Sequence, residues 1–335
     1  MISCLLGVLM LMPFLSRSAR AQETPHPAYT IDLSSLVPEG ATPNANGSVA
    51  FLTDKVVAVG ICYKAVCNLQ TFDLADGSPR QLGQRNGVER FHAILRSGDG
   101  GLLLAGVTKQ GGKGAILFDQ RLTTSQWIPA VPGVSVRGEK IPEGQGRLLA
   151  HTDDLAAYLD QSTIRIKNAS GNLLGSFETG LSKGKPSPTV VFLGKDRILY
   201  DSGASPEVRD FKGAVLRKVE KPRKALGERI KQSQDGALLL YDSFTRRVGA
   251  AQTVLEDAMV VPSMGMSTDG DVPNGETVQV VNTGSGKACF EWYGGEKLLP
   301  PFVDHADITP SGQLVAIMTQ GTLAIFHVAE SSTGK

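Results

Sequence analysis

From about residue 48 to the C-terminus, short apolar runs alternate with turns rich in Gly, Asp and Ser. One clear instance is Phe91-His-Ala-Ile-Leu-Arg, then Ser97-Gly-Asp-Gly-Gly, then Leu102-Leu-Leu-Ala-Gly-Val; another runs from Ile308 through Ser311-Gly312 to Phe326. Alternation with a period of two predicts half-buried strands, and the short continuous apolar runs predict strands covered on both faces. Asp-Gly at 76–77 and 235–236 and Ser-Gly at 170–171 and 311–312 suit tight hairpins, because these residues tolerate positive φ. Helical periodicity is missing. Helix formers gather in 210–232, but Pro222 and Gly227 interrupt them, so a loop with one turn is expected there.

The runs group in fours. Units begin at residues 48, 91, 147, 189, 229 and 303. Setting aside a Gly/Pro/charged insertion at 134–146 and a longer one at 246–275, successive starts fall about 40 to 44 residues apart, the length of a four-stranded propeller blade. The expected fold is therefore all-β, a six-bladed β-propeller in a single domain spanning 22–335. A seven-bladed alternative would need four strands from 246–275, where only 253–261 is strand-like. The sixth unit has three strands, and one strand candidate, 29–33, precedes the first unit. Pairing these would close the ring with the N-terminal strand and remove exposed sheet edges.

Two stretches carry a family resemblance. Val278-Gln-Val-Val-Asn-Thr-Gly-Ser-Gly-Lys287 and Ile308-Thr-Pro-Ser-Gly-Gln-Leu-Val-Ala resemble the strand–turn signatures of bacterial YVTN and WD40-like propeller repeats, with Asn282 and Ser311 where those families usually carry Asp. The resemblance implies a disc of radial sheets around a channel, with loops as binding surfaces. The segment from Asn282 to Trp292 is also similar to a distorted docking motif of quinoprotein (amine dehydrogenase-like) propellers. Its Trp is out of register and the motif occurs once, which argues against a quinone cofactor.

Composition fits this picture: 335 residues, 41% hydrophobic, 20% charged, with 38 Gly. The first 21 residues read as a signal peptide: an apolar run, then Ala19-Arg20-Ala21 as a cleavage site, although no Lys or Arg precedes the run. No later segment has the apolar length to span a bilayer. The expected location is periplasmic or secreted. Formal net charge is +1, too small to steer the chain to nucleic acid. Cys62 and Cys67 flank a four-residue hairpin turn; they read either as a disulfide or as two small buried thiols.

Candidate chemistry is sparse. Asp304, His305 and Asp307 fall on the innermost strand of the last unit, and Arg90 and His92 hold the equivalent place in the second. A His beside carboxylates at a channel mouth could act as a general base, the basis of a lactonase-like hydrolase alternative. Arg217, Lys218, Lys221, Arg223, Lys224 and Arg229 make the strongest local charge asymmetry, suited to an anionic protein or envelope partner. No aromatics interleave with them, so nucleic acid is not expected. No cofactor is expected; Asp269, Asp271 and Glu276 offer oxygen ligands for calcium, but Pro273 spoils the EF-hand spacing. With no catalytic motif in the chain, the function expected is that of an exported binding or scaffold module.

Overall fold

The computed structural model describes residues 25–37, 46–63, 66–75, 77–109, 112–132, 134, 144–152, 154–181, 188–203, 205–219, 227–234, 237–244, 276–293, 306–319 and 321–328. These residues form six four-stranded antiparallel sheets. β1 (Tyr29–Asp32) comes first, followed by a single 3-10 turn at Ser34–Leu36. The first sheet is β2 (Asn46–Phe51), β3 (Val56–Tyr63), β4 (Val66–Asp73) and β5 (Arg80–Glu89). The second is β6 (Ala93–Arg96), β7 (Leu102–Lys109), β8 (Gly112–Phe118) and β9 (Ser125–Pro129). The third is β10 (Arg147–His151), β11 (Leu155–Asp160), β12 (Thr163–Asn168) and β13 (Leu173–Glu178). The fourth is β14 (Thr189–Leu193), β15 (Arg197–Asp201), β16 (Glu207–Asp210) and β17 (Val215–Lys218). The fifth is β18 (Gly227–Gln232), β19 (Leu238–Phe244), β20 (Glu276–Asn282) and β21 (Ala288–Tyr293).

The sixth sheet joins the two ends of the described chain. β22 (Ala306–Ile308), β23 (Leu314–Thr319) and β24 (Thr322–His327) form a meander, and β1 adds to its outer edge. The register is Tyr29↔Ile325, Thr30↔Ala324, Ile31↔Leu323 and Asp32↔Thr322. Leu33 donates its N–H to the Gly321 carbonyl at 2.8 Å. The N-terminal strand thus satisfies the outer edge of β24, as the strand candidate at 29–33 suggested.

Apolar clusters lie between sheets rather than within them. Val49, Phe51 and Val57 of the first sheet pack with Ile31, Ala316, Met318 and Leu323 of the sixth. Leu69 and Ala58 pack with Ile94, Leu104 and Ile116 of the second. Further clusters join the third and fourth sheets, the fourth and fifth, and the fifth and sixth. Trp127 and Trp292, both on outer strands, pack against the clusters that join the first sheet to the second and the fifth to the sixth. On one face the turns are stitched as well: Gln234 N–H donates to the Pro310 carbonyl at 2.7 Å, and Ser311 N–H to Asp54 Oδ1 at 2.8 Å.

The outer strand β5 runs ten residues, Arg80–Glu89, through a polar stretch that carries no apolar alternation to read. It pairs with β4 along its length, and side chains add to the ladder: Gln70 Nε2 donates to Gln81 and Gln84 at 3.1 Å each, and Gly87 N–H to Asn68 Oδ1.

Cys62 and Cys67 face each other in the β3–β4 register and form a disulfide, buried among the residues that join the first two sheets. It restricts only a short loop, so removing it with the C62A/C67A pair should lower unfolding free energy by roughly 2 kcal/mol. Denaturant titration of the variant checks this, with an unchanged midpoint as the contrary result.

Candidate functional site

Asp307 is the channel candidate that the structure buries. It sits in the middle of β22, opposite Ala316, and is 9% exposed. A bare carboxylate there would be costly, and its oxygens are both engaged. Oδ2 accepts the Phe51 N–H of β2 at 2.6 Å, and Oδ1 meets Lys231 Nζ of β18 at 3.4 Å. The same Nζ donates to the Val49 carbonyl of β2 at 3.3 Å. The innermost strands of the fifth, sixth and first sheets thus meet at one ion pair. Burial pushes the Asp307 carboxyl above the usual carboxylate range, against the opposite pull of Lys231 and of the Phe51 N–H. An acid held in this way is a fastener between sheets. A general base needs a free lone pair aimed at a substrate.

Of the other channel candidates, only Arg90 and His92 are among the described residues. Asp304 and His305 lie outside the described residues. His92, just before β6, is exposed, and its N–H bonds the Ala105 carbonyl at 2.8 Å. Its ring covers Gly106, which has φ 72°; a Cβ on Gly106 would come within 2.2 Å of the ring, so the Gly is required by this contact. Among the described residues no three His, Cys, Asp or Glu side chains come together as a metal cluster. Asp269 and Asp271 lie outside the described residues, and Glu276 opens β20. Cys289 is half-buried, its thiol is pushed up by burial, and it sits 3.5 Å from the Val280 carbonyl.

The basic candidates divide. Arg217 and Lys218 occupy the end of β17, and Arg229 lies in β18. Lys221, Arg223 and Lys224 fall outside the described residues. Every residue of β17 is exposed, and two of them are large aliphatics, Val215 at 49% and Leu216 at 51%. On the neighbouring outer strand β13, Leu173 and Leu174 are bare as well, at 58% and 40%. The two strands belong to sheets in close contact: a Cβ on Gly175 would lie 2.2 Å from the Phe211 carbonyl oxygen, and one on Gly213 would strike the Phe177 side chain at 2.4 Å. Behind this edge, Arg209 is fixed by Glu207 at 2.6 Å and lies over the Tyr200 ring, 4.4 Å from its centroid.

Sequence reasoning marked Arg217 and Lys218 by charge. It missed the four aliphatic residues beside them, which looked like any other strand interior. The available signal was the run of two adjacent apolar residues, Leu173-Leu174 and Val215-Leu216, in a short outer strand, where alternation should place one of each pair in solvent.

No family model matches the chain, and no curated protein matches it. Among solved structures, the WD40 domain of Toxoplasma gondii coronin is similar at 10% identity, covering 93% of this chain and 90% of that one, with a TM-score of 0.43. The Pan2 WD40 domain of Neurospora crassa follows at 9% identity, 92% and 96% coverage and a TM-score of 0.38. A putative 6-phosphogluconolactonase from Bacteroides fragilis has 14% identity, 90% and 80% coverage and a TM-score of 0.32. At such scores these likenesses add nothing to the strand pairing, which carries the assignment by itself. Six consecutive four-stranded antiparallel sheets, with the last completed by the first strand, fit the organisation of a β-propeller.

Proposed function

We propose that the six sheets close into one six-bladed ring, and that the chain is an exported binding module for a protein or another component of the cell envelope. The observation that carries this is β17, a strand whose four residues are all exposed and combine two aliphatic side chains with Arg217 and Lys218. A solvated structural strand would alternate, with polar residues outward. Export is supported by the leader-like first 21 residues and by the Cys62–Cys67 disulfide, which suits an oxidising compartment. No helix among the described residues is long and apolar enough to cross a membrane. The hydrolase alternative around His305 and Asp307 draws no support from Asp307, because both of its carboxylate oxygens are already engaged.

Affinity capture from the envelope fraction of the source cell tests the reading. The wild-type chain should retain a specific component that R217S/K218S loses, with both proteins equally folded by thermal melting. Equal capture by the two would reject the edge as the binding surface.

A further inference from the structure

The fourth strands share a device that the repeat hides. In four sheets the outer strand carries a β-bulge, one extra residue set against its partner. Gln81 pairs with Phe72 and Gly83 with Thr71, leaving Leu82 as the extra residue of β5. By the same reading the extra residues are Leu174 in β13, Leu216 in β17 and Cys289 in β21. A bulge re-aims its extra side chain out of the alternation of the strand. In β5 and β21 that side chain lands on the neighbouring sheet: Leu82 packs on the cluster joining the first and second sheets, and Cys289 on the cluster joining the fifth and sixth. Leu174 and Leu216 hold the same structural position and are bare.

The two bare bulge leucines stand on adjacent sheets, flanked by Leu173 and Val215. Three cations lie on the same edge, Lys212, Arg217 and Lys218, all exposed. Their side chains form no ion pair among the described residues. The acids described around them are committed: Glu207 to Arg209, Asp210 to the N–H groups of Lys212 and Ala214, and Glu178 to Ser162 and Thr163. The edge therefore offers free positive charge beside free aliphatic surface. Bulges break the regular hydrogen-bonding edge, which disfavours an added strand. Four aliphatic side chains also fall well short of the ~800 Å² per partner that a stable protein interface buries. A lipid surface needs no such matching area, since single side chains enter the headgroup region while cations meet the phosphates.

We infer that the bulge leucines Leu174 and Leu216, with Lys212, Arg217 and Lys218, dock the outer edge of the third and fourth sheets onto an anionic phospholipid surface. This rests on the binding reading above and narrows its partner to a lipid. Co-sedimentation of the whole chain with vesicles tests it, using phosphatidylcholine alone and equal parts of phosphatidylcholine and phosphatidylglycerol. Binding is expected to the anionic vesicles only, to weaken with salt, and to fall by about tenfold or more in both L174S/L216S and R217S/K218S. V131S, at an exposed valine just after β9, should bind as wild type, and all variants should melt alike. Binding to neither vesicle, equal binding to both, or anionic binding indifferent to both edge variants overturns the lipid inference. If vesicles fail while envelope capture still depends on the edge, the binding module stands and its partner is an acidic protein surface.

Discussion

Replacing Lys231 with methionine should cost the folded chain about 3 to 5 kcal/mol, the penalty of leaving a buried carboxylate without its counter-charge. Lys231 faces Asp307 across a sheet boundary and also holds the Val49 carbonyl. Asp307→Asn should cost less, because the amide oxygen can still accept the Phe51 N–H while Lys231, partly exposed, reaches solvent. The K231M/D307N pair should be more stable than K231M alone, giving a coupling of about 1 kcal/mol or more in a double-mutant cycle. The sign with pH follows from the raised carboxyl of Asp307. A group with a folded pKa above its unfolded value favours the folded state below the unfolded value, and that advantage is lost as pH rises through the folded value. The double variant lacks this titration. Wild-type stability relative to K231M/D307N should therefore decline from about pH 4 upward. Denaturant midpoints across pH measure all of this; additive single effects and a flat difference would show that the pair fastens nothing.

The second large effect concerns the N-terminal strand. Deleting residues 25–36 should lower the melting temperature of the whole domain, even though they are a small part of the chain. The deletion strips β24 of its partner and opens a cluster in which Ile31, Leu33 and Leu36 are buried beside Phe51, Val59 and Leu323. Fully burying one such aliphatic side chain contributes about 1.5 to 3 kcal/mol, so the loss of three is of the order of the stability of an ordinary domain. Substituting Leu33 with Asp, which keeps the chain length, should act in the same direction. A truncated chain that melts as wild type would mean that the sixth sheet is sufficient with three strands.

Much of this organisation was legible in the sequence, for a physical reason. Two-residue alternation and Gly/Asp turns report local geometry, and each blade is a local meander, so six units and the missing strand of the last one could be counted. The cross-strand placement of Cys62 and Cys67 followed from a four-residue turn for the same reason. What joins the blades is non-local. Asp307 stood out as a channel residue, but its partner Lys231 lies in another sheet and looked like one more cation in a basic stretch, so the pairing of the two could not be read. Leu174 and Leu216 were read as ordinary strand residues, because a bulge appears only in the register of the partner strand. The polar half of β5 left no apolar pattern at all. The channel pair Asp304 and His305 and the long insertion at 246–275 lie outside the described residues.

The ring closure proposed above requires the two ends of the described chain to meet in one sheet, with the β1–β24 pairing as its seam. Thr30 and Ala324 face each other in that seam, between the bonded positions on either side, where opposed Cα atoms come closest. A cysteine pair there, T30C/A324C, should oxidise to completion in the folded protein and raise the unfolding free energy by roughly 5 kcal/mol, since the cross-link closes nearly the whole chain. A pair that stays reduced under oxidising conditions, or a cross-linked chain no more stable than its reduced form, would contradict the closed ring.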